Sequence, residues 1–201
     1  GPKKNLAVGQ DRPRRVPEIR TRTICLARAS GLVGSALLPL LLASPFSKRV
    51  VALMRPCSRE PAAHPKLSVL RADFSQLPAL PALDDVYIAL GTTIKAVGSA
   101  AAFRAVDFDA VLHTARAARA AGATRLAVVS ALGANAHSRF RYNRIKGEMQ
   151  EAVLQMGFET VVIAQPSLLQ GNRAALGQTE RAGEGRALRL LSPVQRWIPK
   201  R

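Results

Sequence analysis

From Thr23 onward, short apolar runs alternate with longer segments in which apolar residues recur at helical spacing. The runs at residues 23–27, 49–54, 67–70, 85–90, 124–129 and 160–164 are rich in Val, Ile and Leu and read as buried strands. Segments of helical length lie at 32–43, 101–121 and 142–156. Gly122 and Gly157 follow the last two, where a helix closes on a residue in the left-handed conformation. Pro166 stops the sixth strand. Strands alternating with helices of this length predict an α/β fold with a doubly wound parallel sheet. Residues 1–22 break the pattern. They are basic and interrupted by proline, and predict a poorly ordered segment. Residues 23–201 then form one domain. Its last part, from about residue 184 and including Trp197, is expected to be helical and to pack on the sheet end or form a substrate lid.

Composition narrows the class. A chain of 201 residues that is 48% apolar can bury a sizeable core. No apolar stretch reaches the roughly 18–20 residues that span a bilayer, and the run at 37–43 contains Pro39, so no membrane partner is expected. Cys25 and Cys57 have neither metal-ligand spacing nor a disulfide framework, which predicts a reduced, cytoplasmic compartment. Cys25 falls inside a strand, and Cys57 follows a proline in a loop. His64 and His113 lack acidic or cysteine partners, so no metal site is expected.

The formal net charge of +17 is large, and it suits nucleic acid, an anionic membrane surface or a phosphorylated cofactor. The arginines are spread along the chain rather than clustered, and only 4% of residues are aromatic, too few for base stacking. Nucleic acid is therefore not the expected partner. A small-molecule substrate is, with the protein a monomer or homodimer.

Chemistry concentrates in two places. Between the first strand and the first helix lies Arg28-Ala29-Ser30-Gly31-Leu32-Val33-Gly34. Gly31 lets backbone approach a pyrophosphate at the helix N-terminus, and Gly34 lets helix and strand pack closely. The second place is Tyr142 and Lys146, one helical turn apart and following Ser130 at the end of the fifth strand. An ammonium beside a phenol favours the phenolate, so such a tyrosine can exchange a proton with a substrate oxygen. Ser130 can hold that oxygen.

Taken with three further motifs, these segments resemble the atypical short-chain dehydrogenase/reductase family of Rossmann proteins. The further motifs are Ala89-Leu90-Gly91-Thr92-Thr93, Val129-Ser130-Ala131-Leu132-Gly133-Ala134 and Pro166-Ser167-Leu168-Leu169-Gln170-Gly171. Within that family the chain is similar to small bacterial NAD(P)H-binding proteins of the Tat-interacting oxidoreductase-like group. The resemblance implies that Ser130 orients the substrate oxygen, Tyr142 is the acid/base and Lys146 supports it while bonding the nicotinamide ribose. It also implies a cofactor site made of Arg28, Ser30, Gly31, Leu32 and Val33 at the glycine-rich turn. Asp73 and Phe74 would lie beside the adenine, Leu90, Gly91 and Thr92 along the ribose and pyrophosphate, and Pro166, Ser167 and Leu168 near the carboxamide.

Arg55 ends the second strand where a carboxylate would select NAD, so NADP is the expected cofactor, with NAD possible; Arg59 is a second, weaker candidate. Two residues depart from the family pattern. Arg28 stands where the family has the first glycine of its turn, and either obstructs the cofactor or pairs with a phosphate. Asp107 stands where the family has an asparagine, and either relays protons or faces solvent or an arginine. The implied function is NAD(P)H-dependent hydride transfer on an unidentified carbonyl or alcohol. The alternative is a cofactor-binding regulator or scaffold with little catalysis.

Overall fold

The computed structural model describes residues 20–167, and the expectations for residues 1–19, for Leu168 and for the C-terminal helical part lie outside them. Six strands form one all-parallel sheet in the order β3-β2-β1-β4-β5-β6. They are β1 (Arg22–Ala27), β2 (Ser47–Met54), β3 (Leu67–Arg71), β4 (Asp85–Ile88), β5 (Arg125–Val129) and β6 (Thr160–Ala164). The helices are α1 (Leu32–Ala43), α2 (Ile94–Val97), α3 (Ala100–Arg104), α4 (Ala110–Ala120) and α5 (Arg141–Leu154). This is the doubly wound arrangement that the alternation of runs predicts.

Side-chain alternation along β1 shows why the sheet sits between two layers. Ile24 and Leu26 face α1, where they meet Leu38 and Leu41. Cys25 and Ala27 face the opposite layer and join Val111, Ala115, Met149 and Val153 of α4 and α5. Burial pushes the Cys25 thiol up to about 12, so it is a core residue. Cys57 is exposed.

Two departures from the expected elements bear on the site. The fourth strand ends at Ile88 rather than running to Leu90, so Leu90 and Gly91 leave the sheet edge as a loop. The single helix expected at 101–121 is divided by a π turn over Ala105–Asp109, between α3 and α4. A π turn inserts one residue into the helical repeat and re-aims the side chains around it. Here it turns Asp107 fully inward. The short α2 was not expected. Gly122 and Gly157 have φ of 100° and 73°, as helix closure after α4 and α5 requires.

Candidate active site

The crevice lies at the carboxyl ends of β1, β4 and β5, where the chain's crossovers part to either side of the sheet. It has two connected parts. A cleft of about 450 Å³ is lined by Gly31, Leu32, Val33, Gly91, Ser130, Tyr142, Lys146, Pro166 and Ser167, among others. A larger and more apolar space of about 1270 Å³ runs past Ser30, Arg55, Arg59, Asp73 and Phe74. Arg28, Arg55, Leu90 and Thr92 border both. Every described residue singled out for the cofactor or for catalysis therefore faces this crevice.

The glycine-rich turn is tightly built. A Cβ on Gly34 would stand 2.2 Å from the Arg28 carbonyl oxygen and 2.9 Å from Ala29 Cα, so only glycine fits where α1 meets the turn. Gly31 is the N-cap of α1, no side chain caps it, and the first turn of the helix holds no acidic residue. Backbone N–H groups at such an end favour an anion. The geometry fits a pyrophosphate, with one obstacle. Arg28 has φ of 63°, in the left-handed region that favours glycine. Its side chain runs over Gly31, and its guanidinium donates to the Gly91 carbonyl across the crevice.

On the second strand's side, Arg55 is exposed at the mouth. The loop after it is organised by Arg71, which the sequence did not single out. One Arg71 nitrogen donates to the carbonyls of Arg55, Pro56 and Ser58 at 3.2, 3.0 and 2.9 Å, and the other pairs with Glu60. Ser58 and Ser30 meet through their hydroxyls at 3.0 Å, which ties this loop to the glycine-rich turn. Asp73 is exposed, and its carboxylate accepts the Ser75 N–H, which holds it below the usual carboxylate range. Phe74 is buried and belongs to the core as much as to the crevice.

The catalytic candidates come from the end of β5 and from α5. Ser130 is 5% exposed at the end of β5. Tyr142 opens α5, its ring tilted against the buried Phe103 with centroids 5.2 Å apart. Lys146 follows one turn later and is 3% exposed. Its ammonium lies 2.7 Å from Asp107 Oδ1, while the Thr92 N–H donates to Asp107 Oδ2 at 2.8 Å. Asp107 thus does not face solvent. It holds the lysine and the loop after β4 together. Burial pushes its carboxyl above the usual range, against the opposing pull of Lys146, the Thr92 N–H and Arg28.

Two further residues were not anticipated. Gln150 donates its amide to Ser130 Oγ at 2.7 Å. The signal was there, since residues 142, 146 and 150 share one face of α5. Gly147 is the other: a Cβ there would lie 2.1 Å from Ala136 N and 2.2 Å from Asn135 C. A glycine inside a helix costs about 1 kcal/mol against alanine, and so marks a close backbone approach. His137 is an exposed loop residue.

Comparison with known proteins agrees with this geometry. A family model described as NAD(P)H-binding matches residues 29–185. The mitochondrial protein fmp52 of Emericella nidulans is 35% identical over 158 residues, covering 75% of this chain and 68% of that protein. Its namesake in Aspergillus fumigatus is 36% identical, covering 85% of this chain and 74% of that protein. Both names are mitochondrial, which overturns the cytoplasmic expectation: two cysteines without a partner pattern exclude an oxidising scaffold but do not distinguish among reduced compartments. Among solved structures, the Bordetella bronchiseptica enzyme WbmG in complex with NAD superposes with a TM-score of 0.60 at 19% identity, over 82% of this chain and 63% of that one. A UDP-glucose 4-epimerase from Thermotoga maritima with UDP-glucose gives 0.60 at 12% identity, over 75% and 57%. The chain thus spans about three-fifths of these structures. The family match, the fungal relatives and the Rossmann sheet agree, and the chain belongs to the NAD(P)H-binding family.

Proposed function

We propose that the protein is an NADP(H)-dependent oxidoreductase acting on a carbonyl or alcohol substrate. The observation that carries this reading is the meeting of Ser130, Tyr142 and Lys146 with the glycine-rich turn in one cleft of about 450 Å³. In this reading Ser130 holds the substrate oxygen, and Tyr142 donates the proton that the oxygen gains on reduction, or takes it back on oxidation. Lys146, fixed by Asp107, stands one turn below the phenol. The nicotinamide cofactor, when bound, supplies the hydride, which no side chain of the protein can supply. Gly31 and the open amides of α1 would receive its pyrophosphate, and Arg55 a 2′-phosphate. Arg28 must leave the Gly91 carbonyl to admit it. The relatives' names favour a mitochondrial location for this chain as well, which cell fractionation checks.

Calorimetric titration tests the cofactor assignment. NADPH is expected to bind more tightly than NADH by about tenfold, corresponding to about 1.4 kcal/mol. Absence of heat with both would overturn the reading. A second reading, a cofactor-binding regulator with little turnover, is favoured by one observation: the Arg28 side chain lies in the crevice. NADPH binding without oxidation by any carbonyl would support it.

A further inference from the structure

We propose that Gln150 is a positioning residue that makes Ser130 a hydrogen-bond donor toward the cleft, and so makes the substrate atom at Ser130 an acceptor oxygen. The inference rests on the oxidoreductase reading for its catalytic consequence, but its geometry stands apart from it. A serine hydroxyl has one hydrogen and two lone pairs, so which role it offers a ligand depends on what its other neighbours use. Gln150 Nε2 donates to Ser130 Oγ at 2.7 Å. The opposite end of the same amide, Oε1, accepts from Gln165 Nε2 at 3.2 Å. An amide whose oxygen accepts on one side presents its nitrogen on the other, and Gln150 presents its nitrogen to Ser130. The three residues form a chain in which every bond donates toward the cleft: Gln165 to Gln150, Gln150 to Ser130.

With one lone pair of Ser130 occupied and the residue 5% exposed, its hydrogen is left for the cleft that Ser130 lines. Gln150 does not line that cleft and acts only through the serine. A donor held in this way is set for a carbonyl oxygen, or for the negative charge that builds on that oxygen during reduction. It is less suited to a substrate whose hydroxyl must donate to the serine. The arrangement therefore requires an acceptor oxygen at Ser130, which a carbonyl supplies, or an alcohol whose proton goes to Tyr142.

Gln150→Glu tests the proposal because it keeps shape and reverses polarity. A carboxylate can only accept, so it takes the Ser130 hydrogen and removes it from the cleft. A protonated carboxyl can donate again and restores the original direction. NADPH oxidation with 9,10-phenanthrenequinone as the probe carbonyl is the assay. At pH 8 the variant is expected to lose on the order of 100-fold in kcat, with its NADPH affinity unchanged. The ratio of variant to wild-type kcat is expected to climb as pH falls toward 5. A ratio that is low and flat with pH would show a merely structural role, and an undiminished kcat would also overturn the proposal. The second arm is nuclear magnetic resonance of the Gln150 side-chain amide in wild type and Ser130→Ala. Loss of the serine acceptor should move the amide proton upfield, and an unmoved signal would overturn the donor assignment. If the wild type binds NADPH but oxidises it neither with the probe nor with a panel of aldehydes and ketones, the oxidoreductase reading fails, and the amide signal alone decides the polarity of the chain.

Discussion

Arg28 combines two costs at one position. Its φ of 63° places an L-residue where glycine is at ease, at a cost of about 1 kcal/mol. Its side chain, lying over Gly31 and bonded to Gly91, occupies ground between the two parts of the crevice that a dinucleotide must bridge. Both costs disappear in Arg28→Gly. The variant is expected to melt higher and to bind NADPH about tenfold more tightly, equivalent to about 1.4 kcal/mol in calorimetry. Weaker binding would instead identify the guanidinium as a phosphate ligand that swings over once the cofactor is present. The sequence exposed this position because a motif with one wrong residue is more informative than a complete one. It did not expose where the arginine goes, since that depends on a carbonyl 63 positions away in the chain.

At the scale of elements, α5 carries Tyr142, Lys146 and Gln150 on one face, and its placement depends on its contact with the loop at 135–136. Gly147 permits that contact, and the Asn135 N–H bonds the Asn143 carbonyl at 2.9 Å to hold it. A methyl group at Gly147 meets backbone, which cannot yield as a side-chain tip can. Gly147→Ala is therefore expected to destabilise by about 2 kcal/mol through overpacking, despite alanine's better helix propensity. Thermal melting checks this, and a variant as stable as wild type would show that the loop shifts freely. The sequence foretold α5 and the placing of Tyr142 and Lys146 one turn apart on it, because both follow from spacing within one segment. The π turn was hidden for the opposite reason. Ala105 to Asp109 carry no local signal for an extra residue in the helix; the turn is favoured by burying Asp107 against Lys146, a contact between distant segments.

Across the whole molecule, the crevice at one edge of the sheet has a counterpart at the other. Asp85 begins β4, is 3% exposed, and takes hydrogen bonds from Arg22 of β1 and Arg125 of β5 at 2.8 to 3.0 Å. Part of the large positive charge is thus spent on joining the three central strands, which no tally of net charge reveals. Parallel order and strand identity were legible from alternating runs; this clamp was not, because it needs the register that pairs Asp85 with Ile24 and Arg125. Burial alone would raise the Asp85 carboxyl, but the guanidiniums of Arg125 and Arg22 outweigh it and hold it below the usual range. The folded state therefore binds this proton less readily than the unfolded chain does. Its contribution to stability is complete above the unfolded value of about 3.9 and is lost as pH falls through the lower folded value. Removing one partner of a buried pair costs about 3 kcal/mol, reduced here by the partial exposure of Arg125. Asp85→Ala is expected to be less stable than wild type by up to that amount in urea unfolding at pH 7. The gap should narrow steadily as the pH is lowered below about 4. A gap that stays constant into acid would mean that the carboxylate's charge contributes nothing and that its loss is felt only as lost packing.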